Sequence, residues 1–86
     1  MKMANDNNIN ENSVVMRTAK YLRLSRVEKS LTGTDLGKLL NLSQQQISRY
    51  ENGQSAISIN SLEAYLKVLG KNWMDYFDSV ILGNEN

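Results

Sequence analysis

The chain has 86 residues, 41% hydrophobic and 22% charged, with a formal net charge of +1 and neither cysteine nor histidine. That length accommodates one small globular domain and not two. The missing residue types exclude disulfides, the usual transition-metal ligands and Cys- or His-based catalysis, and no clustered carboxylate pair stands in for them, so neither an enzyme nor a cofactor is expected.

Residues 1 to 11 are polar, Asn-rich and low in complexity, and read as a disordered tail ahead of a domain spanning 12 to 82, with a short C-terminal tail at 83 to 86. The tail lacks the apolar run of a secretory leader, and no stretch approaches the ~20 apolar residues that span a bilayer. A soluble, cytoplasmic protein is expected, and the absence of cysteine suits a reducing compartment.

From about Ser13 to Lys29, Val14, Val15, Ala19, Leu22 and Val27 recur among Lys and Arg without Gly or Pro, which predicts a first amphipathic helix. Its basic residues fall at every third position from Arg17 to Lys29. Three residues turn a helix by about 300°, so this row creeps round the helix and cannot face one partner throughout.

Later helix starts are marked by a short polar residue followed three positions on by a carboxylate or amide: Thr32 with Asp35, Ser43 with Gln46, Asn60 with Glu63, and Asn72 with Asp75. Asn41, Gly53 and Gly70 supply stops, because each tolerates the left-handed conformation that ends a helix. The prediction is five helices near 13–29, 33–40, 44–52, 61–69 and 73–80, with "SAISINS" at 55–61 as an extended loop. Val14, Leu22, Leu31, Ile47, Leu62, Leu66 and Leu69 are expected in the core.

Helices two and three are eight or nine residues long and are joined by "NLS". Leu36, Leu39 and Leu40 form an apolar stripe on one, Ile47 and Tyr50 on the other, and Leu42 plugs the turn. Gly37 falls where two steeply crossing helices need a residue with almost no side chain. This is the spacing of a DNA-binding helix-turn-helix. Charge is distributed to match: residues 14–50 carry seven basic against two acidic side chains, whereas 51–86 carry two basic against five acidic. One basic side and one acidic side suit a polyanion partner.

"LTGTDLGKLLNLSQQQISRYENG", followed by "SLEAYLKVLG" and "WMDYF", resembles the Cro/C1-type (XRE-like) helix-turn-helix family over residues 22 to about 77. More narrowly, it is similar to small regulators associated with enterobacterial fimbrial operons. The resemblance implies an all-α, compact five-helix, lambda-repressor-like fold and a double-stranded DNA partner. On the third helix, Gln44, Gln45, Ser48, Arg49 and Asn52 lie on the side away from Ile47 and Tyr50. Gln pairs bidentately with adenine and Arg with guanine in the major groove, so Gln44, Gln45, Gln46, Ser48 and Arg49 are the candidate base readers.

Candidate phosphate contacts are Thr34, Lys38, Ser43, Asn52, Gln54 and Ser55. The family commonly places a glutamine just after the second helix cap, where this chain has Gly33, so phosphate anchoring shifts to those neighbours. The residue types at Arg26 and Glu51 match the family's ion pair between helix one and the recognition helix. Ser25 stands where the family usually has an apolar core residue.

Trp73, Met74, Tyr76, Phe77, Val80, Ile81 and Leu82 make the most apolar segment of the chain. They either complete the core or leave a dimer contact through Trp73, Tyr76, Phe77 and Ile81. Two functions fit this sequence. One is a dimeric transcriptional regulator on a palindromic operator; the other is an antitoxin or adaptor that uses the same fold to hold a protein partner.

Overall fold

The computed structural model describes residues 13–83, so the expected tail at 1–11 and the last three residues lie outside the described region. Five helices follow one another, α1 (Val14–Glu28), α2 (Gly33–Leu40), α3 (Gln44–Glu51), α4 (Ile59–Val68) and α5 (Trp73–Tyr76), the last running into a π-helical turn over Phe77–Ile81. No strand occurs among the described residues.

Every α-helix begins with a side-chain oxygen accepting an otherwise orphaned backbone N–H. Ser13 accepts from Met16 at 3.1 Å, Ser43 from Gln46 at 3.0 Å and Asn72 from Asp75 at 2.8 Å. Thr32 and Asp35 form the full reciprocal box, at 2.9 and 3.0 Å. The expected cap of α4 at Asn60 is corrected: Ser58 caps instead, accepting from Ser61 at 3.1 Å, so the helix starts two residues earlier. Ile57 and Leu62, flanking that cap at the positions of a hydrophobic staple, both pack into the same core cluster and set the entry of the chain there.

Helix ends use left-handed residues at Asn41 (φ 60°), Gly53 (φ 73°) and Gly70 (φ 72°), as the sequence suggests. Ser30 adopts the same conformation (φ 59°) after α1 with no glycine to ease it. There the Ser30 N–H bonds the Val27 carbonyl at 2.9 Å and the Leu31 N–H bonds the Arg26 carbonyl at 3.2 Å, the paired bonds of a Schellman ending.

Leu22, Leu36, Ile47, Leu62, Tyr65, Leu66 and Leu69 form one buried cluster drawn from α1 to α4 and the residue after it. One expected core position is corrected: Val14 is 47% exposed, as it sits in the first turn of α1. Of the apolar stripe on α2, Leu36 is buried but Leu39 is 59% exposed, because α2 is too short to bury both of its faces. Leu31 is half-buried and Ser25 is buried, the latter filling its interior position with a small side chain.

The sequence pattern predicts a fifth helix over 73–80. Instead the Leu82 N–H reaches back five residues to the Phe77 carbonyl at 3.0 Å, giving the wider turn. A contact from outside the segment accompanies it: Arg17 Nε donates to the Val80 carbonyl at 2.9 Å, tying α1 to the π-helical turn.

Candidate nucleic-acid interface

The crossing of α2 and α3 turns on Gly37. A Cβ added there would stand 2.5 Å from the Leu42 carbonyl oxygen, a backbone atom that cannot swing aside, and the Leu42 N–H already bonds the Gly37 carbonyl at 2.8 Å. The two backbones meet where only a hydrogen fits. Ile47, 2% exposed, then anchors the inner face of α3 in the core.

The outer face follows from that anchoring. Gln44, Gln45, Ser48, Arg49 and Asn52 are exposed, and Gln46 is half-buried. Of the candidate phosphate contacts, Thr34, Lys38, Ser43, Asn52 and Gln54 are exposed and Ser55 is half-buried. The Ser43 oxygen accepts the Gln46 N–H, which leaves its own hydroxyl hydrogen available to an acceptor. Asn52 Nδ2 donates to Ser48 Oγ at 3.2 Å, so these two side chains act as a pair on the last turn of α3.

Arg26 and Glu51 join α1 to the C-terminal end of α3. Arg26 Nε lies 2.9 and 3.1 Å from the two Glu51 oxygens, its Nη2 donates to Oε1 at 2.8 Å, and its Nη1 donates to the Leu31 carbonyl at 2.8 Å. The Glu51 side chain is only 5% exposed. Tyr65, fully buried on α4, completes the cluster by donating its hydroxyl to Glu51 Oε2 at 3.2 Å. The hydrogen bond to Glu51 holds the Arg26 pKa above its ordinary value, and burial followed by the charge of Glu51 raises that of Tyr65. The sequence reading missed Tyr65. Its spacing with Leu62, Leu66 and Leu69 signals burial, but nothing in one dimension pairs its hydroxyl with Glu51.

Beside α3 lies a cavity of about 230 Å³, lined by Arg23 and Arg26 of α1, Gly33 of α2, and Gln44, Ser48 and Asn52 of α3 among others. Arg23, absent from the sequence-based candidates, therefore lies next to the amide-bearing helix. With Glu51 matched by Arg26, the exposed Arg23 leaves this edge cationic.

On the C-terminal helical segment, Trp73, Phe77 and Ile81 are 40–45% exposed, and Met74 and Leu82 are more open still. Tyr76 is turned inward, unlike the other three residues expected at a dimer contact. Its hydroxyl is 2.8 Å from Thr18 Oγ1 and its ring meets Tyr21 and Trp73 edge-on. Tyr21 in turn donates to Asp75 at 2.5 Å, and burial followed by that bond raises its pKa. Val80 is buried. No helix among the described residues is long and apolar enough to cross a membrane.

A helix-turn-helix family profile matches residues 22–74, well over half the chain. Among solved structures, the fold is similar to a tyrosine-to-phenylalanine mutant of the restriction-modification controller protein C.Esp1396I, with a TM-score of 0.73 and 27% identity over 81% of this chain and 89% of that one. No curated protein matches the chain at a significant level. The matched segment begins at Leu22 in α1 and contains all of α2, α3 and α4, the elements that build the exposed amide face. The chain belongs to the Cro/C1-type (XRE-like) helix-turn-helix family of DNA-binding regulators.

Proposed function

We propose that the protein is a cytoplasmic, sequence-specific transcriptional regulator that binds an approximately palindromic operator as a homodimer, with α3 in the major groove. The observation that carries this reading is the division of α3 into two faces: Ile47 and Glu51 are buried, while Gln45 and Arg49 stand in solvent on the opposite side and Gln44 and Ser48 are exposed on the flank between. Amides and a guanidinium on the exposed part of a helix match the donor and acceptor pattern of adenine and guanine edges. Thr34 and Lys38 on α2, Ser43 and Asn52 at the two ends of α3, and Gln54 and Ser55 just after it supply phosphate contacts that fix its register. The solved neighbour is a controller of a restriction-modification system, which supports a regulatory role.

The exposed apolar side chains Trp73, Phe77 and Ile81 serve as the dimer contact. Two-fold pairing through them brings two α3 helices to a separation near one turn of B-DNA, ~34 Å, so the two half-sites repeat at that spacing.

In vitro selection of bound duplexes tests this directly, expecting inverted half-sites about 10 base pairs apart. Gln44→Ala should lower discrimination at one base pair by ~1 to 3 kcal/mol, whereas Lys38→Ala should weaken all sequences alike and reduce the salt dependence by about one phosphate contact. A selection that recovers no preferred sequence, together with a salt-insensitive complex with another protein, would replace this reading by the adaptor or antitoxin one.

A further inference from the structure

Gly33 opens α2 in a place that requires no glycine. Its φ is not among the positive values of the chain, so the backbone there suits any residue. Space does not demand it either: a Cβ would meet Gln44 Cγ at 3.6 Å and Ile47 Cγ2 at 3.8 Å, both ordinary van der Waals contacts. Glycine at this first helical position also loses more backbone freedom on folding than alanine would. Its one local consequence is the empty space beside the Gln44 stem, where Gly33 and Gln44 line the same cavity with Arg23 and Ser48.

We propose that Gly33 is a specificity-determining residue, because the slot it leaves open gives the Gln44 amide a second resting place beside α3 and so limits the base discrimination that Gln44 delivers. The cavity of about 230 Å³ is roomy enough for an amide, and its lining residues include Arg23 and Ser48, whose side chains are able to hydrogen-bond one. On the groove-facing side, the Gln44 stem has nothing at Gly33 to brace it. A side chain divided between two positions recognises its base only for the fraction of time it points outward, and affinity falls by that fraction. A methyl at 3.6 Å touches the stem without displacing it and narrows the slot.

This inference rests on the reading of Gln44 as a base reader. The test compares wild type, Gln44→Ala, Gly33→Ala and Gly33→Leu against the selected operator and its single-base variants at every position, with thermal melting to establish folding. Gln44→Ala locates the base pair that Gln44 reads by flattening discrimination there. At that pair alone, Gly33→Ala should raise the preferred-to-variant affinity ratio about twofold, the gain from closing one of two equally occupied positions, and Gly33→Leu, which fills the slot, should raise it at least as far. If Gln44→Ala flattens one pair but both folded Gly33 variants leave its ratio unchanged, the inference is overturned and the base-reading assignment stands. Should Gly33→Leu fail to fold, Gly33→Ala decides alone. If Gln44→Ala flattens no pair, the assignment of Gln44 fails, and the role of Gly33 fails with it.

Discussion

Replacing Arg26 by alanine isolates the bond between α1 and the recognition helix. Four of the contacts described above depend on that guanidinium, three to Glu51 and one to the Leu31 carbonyl. After truncation, a carboxylate whose side chain is 5% exposed keeps only the Tyr65 hydroxyl at 3.2 Å. Breaking a buried pair in this way costs about 3 to 5 kcal/mol, because the remaining charge is desolvated without compensation. For a domain of this size 1 kcal/mol corresponds to ~4 to 8 °C, so Tm should fall by roughly 12 to 40 °C. Arg23→Ala removes an exposed guanidinium of the same helix and should change Tm by a few degrees at most. Thermal unfolding followed by circular dichroism compares the two. The double variant Arg26→Ala with Glu51→Gln should regain part of the loss, since a neutral amide is cheaper to bury than a carboxylate. Equal Tm values for Arg26→Ala and Arg23→Ala, or no recovery in the double variant, would refute the stranded-charge account.

Gly37→Ala should destabilise the domain by ~1 to 3 kcal/mol in urea denaturation despite alanine's better helix propensity, because the new Cβ meets the Leu42 carbonyl at 2.5 Å; a stability equal to wild type would show that the α2–α3 crossing can relax. Ser30→Gly should raise stability by up to ~1 kcal/mol by relieving the left-handed strain at φ 59°, and a loss in the same assay would mean that the serine side chain matters more than its backbone. Asp35 has its pKa lowered, first by the Thr32 backbone N–H and then by the Thr32 side chain. A depressed carboxylate contributes stability that is present above its ordinary pKa and lost as pH falls through the folded value. The stability difference between wild type and Asp35→Asn should therefore shrink on acidification, and a gap independent of pH across that range would count against the capping box as its source.

Much of the candidate interface was legible because its signals are local. The caps Thr32 and Ser43, the stop at Asn41 and the small residue at Gly37 lie within a dozen positions of one another, and α2 and α3 start where those residues place them. The outward direction of Gln45 and Arg49 follows from helical periodicity once Ile47 is assigned to the core, whereas Gln44, three residues before Ile47, is exposed as the residue that opens the helix. Harder to read was the start of α4, where Ser58 and Asn60 both offer a cap with a polar residue three positions later. The choice falls to packing, through Ile57 and Leu62 on either side of the Ser58 cap. The likeness to fimbrial-operon regulators remains one of sequence alone, since the solved neighbour reported above controls restriction and modification.

By itself the sequence determined the number of helices, the helix-turn-helix between Gly33 and Glu51, and which side of α3 meets solvent, since capping, turn chemistry and apolar period act over three to seven residues. The tertiary structure decided what depends on partners far along the chain. Tyr65 completes the Arg26–Glu51 cluster, Tyr76 turns inward to Thr18 while Trp73 and Phe77 stay open, and the π-helical turn at Phe77–Ile81 carries a bond from Arg17. Each of these joins groups 14 to 63 residues apart. Their spacing carries no periodic signal, so only the folded packing brings donor and acceptor together.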